Sequence, residues 1–108
     1  MGSPSPRDIA CGILLRVSRG RDHASTLLRG IDDAAIAARD RALITELVNG
    51  VLRRRLYLDH VIEAYASRPL ARIDAELIEV LRLALYQLLF LQRVPAHAAV
   101  NEAVRMAR

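Results

Sequence analysis

The sequence predicts an all-α protein of about six helices, and three observations carry that expectation. Apolar residues recur at i, i+3, i+4 and i+7 through most of the 108 residues, the period of helices with one buried face. Alanine and leucine supply 17 residues each, aromatic residues only 4% of the chain, and no alternating apolar–polar run is long enough for a strand. Helix-start residues and helix breakers stand at the edges of the periodic segments, as real helix ends require.

Taken in order, the first helix is expected over 5–19. Ser5 offers an N-cap hydroxyl, Pro6 suits the first helical position, and Asp8 puts an acid in the first turn. Ile9, Ala10, Ile13, Leu14 and Val17 share one face, with Arg7 and Arg16 at its two edges, and Gly20 ends the helix. Leu15 points away from that face and asks for a partner. A short second helix fits 24–29, while Asp32 to Ala38 leaves helix and loop open. The third is expected over 40–54, opened by Asp40. Leu43, Ile44, Leu47, Val48 and Val51 face inward, and Glu46, Asn49 and Arg53 outward. Gly50 costs about 1 kcal/mol relative to alanine inside a helix, which points to a close helix crossing there.

Asp59 reads as the cap of a fourth helix over 59–67, with Val61, Ile62 and Tyr65 inward and Pro69 stopping it. Asp74 caps a fifth over 74–91, with Ile73 and Ile78 placed to bridge its start as a hydrophobic staple. Leu77, Leu81, Leu85 and Leu88 stack at helical spacing, and Leu83 to Leu91 is apolar nearly all round, which makes this the most buried element. After Pro95 a sixth helix over 96–108 carries Val100, Ala103, Val104 and Ala107 in register. Arg82 and Glu102 are expected to approach each other between helices five and six. The local alternative pairs Arg82 with Glu79, three residues away.

Size and composition bound the function. At 12.0 kDa, 53% hydrophobic and 26% charged, the chain is one domain, residues 1–108, with no room for a multi-domain enzyme. No secretory pattern opens it, and the longest apolar stretch falls far short of the roughly 20 residues of a membrane span. No membrane association is expected. A lone Cys11 excludes an intrachain disulfide and fits a reducing, cytoplasmic setting. Beside Asp8 it reads as a small packing residue rather than a thiolate nucleophile. The five glycines form no phosphate-binding loop, and His23, His60 and His97 match no metal spacing. Neither catalytic nor metal-binding residues are expected within the chain.

Arginine is the one surplus. All 16 basic residues are Arg, none is Lys, and the formal charge is +4. Residues 1–30 hold five Arg against two Asp, residues 31–50 two Arg against four acids, and residues 51–72 five Arg against two acids, with the remainder neutral. Two basic segments thus flank an acidic one. Arg7, Arg16, Arg19 and Arg21 gather along and after the first helix, and Arg53, Arg54 and Arg55 close the third. Cations at helix C-termini complement the macrodipole, which accounts for part of this placement. The other reading is a phosphate-binding surface, Arg-led and helical, because so few aromatics cannot build a sheet-type stacking platform.

Several blocks then carry a family resemblance: Arg7-x-x-Ala10-x-x-x-Leu14, Asp40 ahead of Glu46-Leu47-Val48-Asn49-Gly50-Val51, Tyr57-Leu58-Asp59, Val80 to Leu88 around Arg82, and Val94-Pro95-x-x-Ala98-Ala99-Val100-Asn101-Glu102. In this order, over nearly the whole chain, they resemble the NusB family. That domain occurs as a free transcription antitermination factor and as the N-terminal RNA-binding region of 16S rRNA cytosine-C5 methyltransferases of the RsmB (Sun/Fmu) type. Gly50-Val51-Leu52-Arg53 and Pro95 to Glu102 look more like the methyltransferase branch. The resemblance implies two small helical bundles, helices one to three and helices four onward, and a further last helix beyond the present C-terminus.

It also implies ribosomal RNA as partner; on the arginine clustering, Arg7, Arg16, Arg19 and Arg21 are the first candidates for backbone contacts and Arg53 to Arg55 the second. Asp40, Glu46, Gly50, Asp59, Arg82, Pro95, Asn101 and Glu102 are the motif positions. A C-terminal methyltransferase domain of the same parent would bind S-adenosylmethionine, so no cofactor is expected in this chain. The alternatives are a free antitermination factor that binds a boxA-like RNA with a ribosomal protein, and a helical protein–protein docking module. The apolar surface that the last helix would cover is expected to be filled from outside, by a second copy or by a following domain.

Overall fold

The computed structural model describes residues 4–32, 36–65 and 69–107. Among them there is no strand; the order is α1 (Pro6–Ser18), α2 (Ala24–Asp32), α3 (Ala38–Arg53), α4 (Arg55–Tyr65), a 3-10 turn (Leu70–Arg72), α5 (Ala75–Tyr86) running on into a π-turn (Gln87–Leu91), and α6 (Ala96–Ala107). The chain divides into two compact units, Met1–Leu52 and Arg53–Arg108, which is the division into helices one to three and four onward that the resemblance implies.

In the first unit α1 begins on a capping box. The Asp8 N–H donates to Ser5 Oγ at 3.1 Å and the Ser5 N–H donates to Asp8 Oδ2 at 3.3 Å, so two backbone donors orphaned by helix geometry are satisfied reciprocally. Its end is a Schellman motif. Gly20 at φ +71° donates to the Val17 carbonyl at 3.0 Å, and the Arg21 N–H to the Arg16 carbonyl at 3.3 Å. That left-handed position is why glycine stands there. Replacing Ser5 by alanine is expected to cost about 0.5–2 kcal/mol; a urea midpoint unchanged within error would show that the exposed box contributes nothing.

Ala10, Ile13 and Leu14 bury the inner face of α1, which packs on α2. The second helix runs past its expected end to Asp32, and burial of Ile31 explains why the extra turn is retained. In α3, Ile44, Leu47, Val48, Gly50 and Val51 are buried. Leu43, expected inward, is exposed. It lies between Leu47 and Gly50 around the helix but before Ile44, the first buried residue of α3, so it falls short of the covered stretch along the axis.

The second unit departs from expectation at its start. No glycine or proline interrupts 54–58, so only Arg54 separates α3 from α4, and the fourth helix begins at Arg55 instead of at Asp59. The Leu58 N–H already bonds the Arg54 carbonyl at 2.9 Å. Asp59 therefore lies inside α4 and caps nothing. Leu58, Val61 and Ile62 are buried, but Tyr65, expected inward, is 54% exposed in the last turn of α4. The rest of the predicted fourth helix, 66–67, lies outside the described residues.

Asp74 caps α5 as expected, accepting from the Glu76 N–H at 2.9 Å, and Ile73 and Ile78 on either side of the cap are half-buried. From Leu81 to Tyr86 every residue is buried, since α5 packs against both α4 and α6. Leu77, one turn earlier, is exposed. The expected helix to 91 holds its course but changes pitch. The Gln92 N–H reaches back five residues to the Gln87 carbonyl at 2.9 Å, Arg93 closes the turn at φ +57°, and the Val94 N–H bonds the Leu88 carbonyl at 2.8 Å. Ala99, Val100 and Ala103 bury the inner face of α6, while Val104, one position further round, is exposed.

Candidate nucleic-acid interface

The first group of arginines surrounds α1. Arg7 is half-buried in the first turn, and Arg16 lies nine residues on, half a revolution around the helix. The two therefore border opposite edges of the apolar face and do not form one patch on α1. Arg16 is tied back, its Nε donating to Asp22 Oδ2 at 2.8 Å with Nη2 2.6 Å from the same oxygen. Arg19, the C-cap, and Arg21, just past Gly20, are both exposed. Among the described residues neither makes an ion pair. The Schellman turn thus presents two cations at a helix C-terminus, with Arg16 held beside them by Asp22.

The second group lies at the start of the second unit. Arg53 and Arg54 are exposed and Arg55 is half-buried. The Arg54 guanidinium carbon sits 4.1 Å above the centre of the Phe90 ring, a cation–π distance. Tyr57 meets Phe90 edge-on, centroids 5.9 Å apart and planes at 69°, and buried Tyr86 tilts against Phe90 at 5.6 Å. Sequence reasoning did not single out Tyr57 and Phe90 as a pair. The available signal was the i, i+3 spacing of Arg54 and Tyr57; Phe90 is brought in only by α5 packing on α4.

Of the motif positions, Asp40 stands in the first turn of α3, where an acid complements the dipole. Glu46 is exposed, Gly50 is buried, and Pro95 precedes α6 with its carbonyl accepting the Ala99 N–H at 2.8 Å. Asn101 is exposed. Arg82 does not approach Glu102. Its Nε and Nη2 fork onto Asp59 at 2.7 and 2.9 Å, and Nη1 donates to Glu79. Glu102 instead meets Arg105 one turn along α6, at 3.4 Å. Arg82 points toward α4 because Asp59, freed from capping, offers a bidentate acceptor there. Burial alone would lower the Arg82 pKa, but the hydrogen bond to Asp59 and the charges of Glu79 and Asp59 outweigh it and hold the guanidinium above its ordinary value. Buried Arg82 and Glu79 with half-buried Asp59 thus form an ionic clamp between α4 and α5.

Among the described residues no three of His, Cys, Asp and Glu gather as metal ligands, and no helix is long and apolar enough to cross a membrane. Cys11 is half-buried.

The pattern that defines the NusB family matches residues 4–108. The whole chain is 33% identical over 109 aligned residues to the protein of Bacillus subtilis (strain 168) named Probable ribosomal RNA small subunit methyltransferase B, covering 24% of it. A protein of the same name from Synechocystis sp. is 37% identical over 105 residues, 96% of this chain and 24% of that protein. Transcription antitermination protein NusB of Xanthomonas axonopodis pv. citri is 42% identical over 69 residues, 64% of this chain and 43% of that protein. The chain thus spans about a quarter of the two methyltransferases it matches.

Proposed function

This chain belongs to the NusB family, and from that premise we propose that it is the non-catalytic RNA-binding region of an S-adenosylmethionine-dependent 16S rRNA (cytosine-C5) methyltransferase, working in the cytoplasm. The observation that carries this reading is the alignment of essentially the whole chain with two small-subunit rRNA methyltransferases. The exposed Arg19, Arg21, Arg53 and Arg54 support it, because guanidinium groups fork onto phosphates and release counterions from an RNA backbone. No glycine-rich loop in the chain suits a nucleotide-like cofactor. The methyl donor and the catalytic residues would therefore belong to the remainder of such a protein, and this region's task is to hold the ribosomal RNA.

The similarity to antitermination proteins favours a second reading, a factor that binds boxA-like RNA together with a ribosomal protein. Titration with a 16S rRNA fragment and with a boxA-like RNA, at several salt concentrations, tests both. Tighter binding of the 16S fragment is expected. A boxA preference that appears only with a ribosomal protein present would favour the second reading, and no binding of either RNA at low salt would overturn both. Replacing Arg19 and Arg21 together by alanine is expected to weaken binding and to flatten the salt slope by about 0.7 per lost contact on single strands. An unchanged slope would remove the C-terminal end of α1 from the interface.

A further inference from the structure

The second unit holds a cluster that electrostatics alone does not account for. Phe90 stands in the π-turn Gln87–Leu91, and such turns are uncommon insertions that recur at functional sites because the extra residue re-aims the side chains around it. Here Phe90 is held between Tyr86, which is buried, and Arg54, whose guanidinium lies over its ring at 4.1 Å. Tyr57 packs edge-on against the same ring and remains 49% exposed, and the neighbouring Leu56 is 86% exposed. A single aromatic thus fixes two planar groups, a phenol ring in the first turn of α4 and a guanidinium on the residue just before it, at the surface. Exposed Arg53 and half-buried Arg55 flank Arg54 on the chain.

We propose that Tyr57 and Arg54, braced by Phe90, form a stacking site for an unpaired RNA base, with Arg53 contacting the adjoining phosphate. The chemistry fits single-stranded nucleic acid. Bases stack on aromatic rings and on guanidinium planes, whereas a paired base inside a duplex exposes no face. Holding Arg54 over Phe90 beforehand reduces the side-chain freedom lost on binding. A buttress for stability alone would need neither the half-exposed Tyr57 ring nor the bare Leu56 beside it. This site rests on the RNA-binding reading and makes it specific: the segment held by the second unit is a loop, bulge or end rather than a helix.

The test uses the 108-residue chain with hexauridylate, whose bases are unstacked, and with a short RNA duplex. Binding is followed by quenching of tyrosine fluorescence, since the chain has no tryptophan, and by a label on the RNA. Hexauridylate is expected to bind, and Tyr57→Ala to weaken it about 5- to 100-fold, the usual range for one lost base stack. Tyr57→Phe should restore affinity. Arg54→Lys, which keeps the charge but removes the plane, should weaken hexauridylate more than duplex. Circular dichroism of each variant separates lost binding from lost folding, and Tyr57→Leu, which keeps an apolar side chain at that position, repeats the measurement if Tyr57→Ala unfolds. Equal affinity of wild type, Tyr57→Ala and Arg54→Lys for hexauridylate would overturn the site. If duplex binding still falls with Arg19 and Arg21 removed, the RNA-binding reading stands without it; if no RNA binds at all, both fall together.

Discussion

Replacing Arg82 by methionine is expected to destabilise the protein by about 3–5 kcal/mol, the usual cost of removing one partner from a buried ion pair. Methionine comes near the volume of the arginine stem but carries no charge. Glu79, only 2% exposed, then keeps its carboxylate in the core without the Arg82 cation, and Asp59 loses both arms of its fork. The penalty comes from the charges left behind more than from the worth of the bonds themselves. Replacing Glu79 by leucine in the same chain should therefore recover part of the loss. A shift in urea midpoint at constant slope is the measurement. A loss under about 1 kcal/mol would mean that water reaches the clamp in solution. Double-mutant cycles sharpen the assignment: Arg82 should couple to Asp59, while coupling between Arg82 and Glu102 should be zero within error.

Leu85→Ala is the other large effect, expected to cost about 2–5 kcal/mol through lost burial and the cavity left behind. Leu85 is 1% exposed, near the C-terminal end of α5 and on the helix that packs against both α4 and α6. Neighbours on two sides limit how far the structure can collapse into the gap, which places the expectation in the upper part of that range. Leu77→Ala on the same helix is the control, since Leu77 is exposed and its truncation should change stability by no more than about 0.5 kcal/mol. Equal losses for the two would show that α5 is peripheral.

Much of the fold was legible because much of it is local. The Ser5–Asp8 box, the left-handed Gly20 and the Asp74 cap each involve partners within a few residues, so the chain encodes them without reference to the rest of the molecule. Apolar periodicity likewise identified Ile44, Leu47, Val48 and Val51, and the burial of Leu83 to Tyr86 and Leu88 within the expected 83–91 segment, although Leu91 at its end is exposed. It failed toward helix ends, at Leu43, Tyr65 and Leu77, and at the rim of α6, at Val104. A 3.6-residue period says which side of a helix is inward but not how far along or around the helix the cover extends. That extent depends on where neighbouring helices begin and end.

The candidate sites divide in the same way. That the protein would carry arginines where helices end was visible in composition and spacing. Which of them remain available was not. Arg16 is held by Asp22 and Arg82 is withdrawn into the core by Asp59, 23 residues away, whereas Arg54 stays exposed with its guanidinium set over Phe90. By itself the sequence determined the all-α class, the caps of α1 and α5 and the family, since those rest on contacts within a turn or two and on residue order. Tertiary structure alone decided the partner of Arg82 and the meeting of Arg54, Tyr57 and Phe90. Contacts between helices depend on the rotation and axial offset with which two helices pack, and many such arrangements are compatible with one apolar pattern.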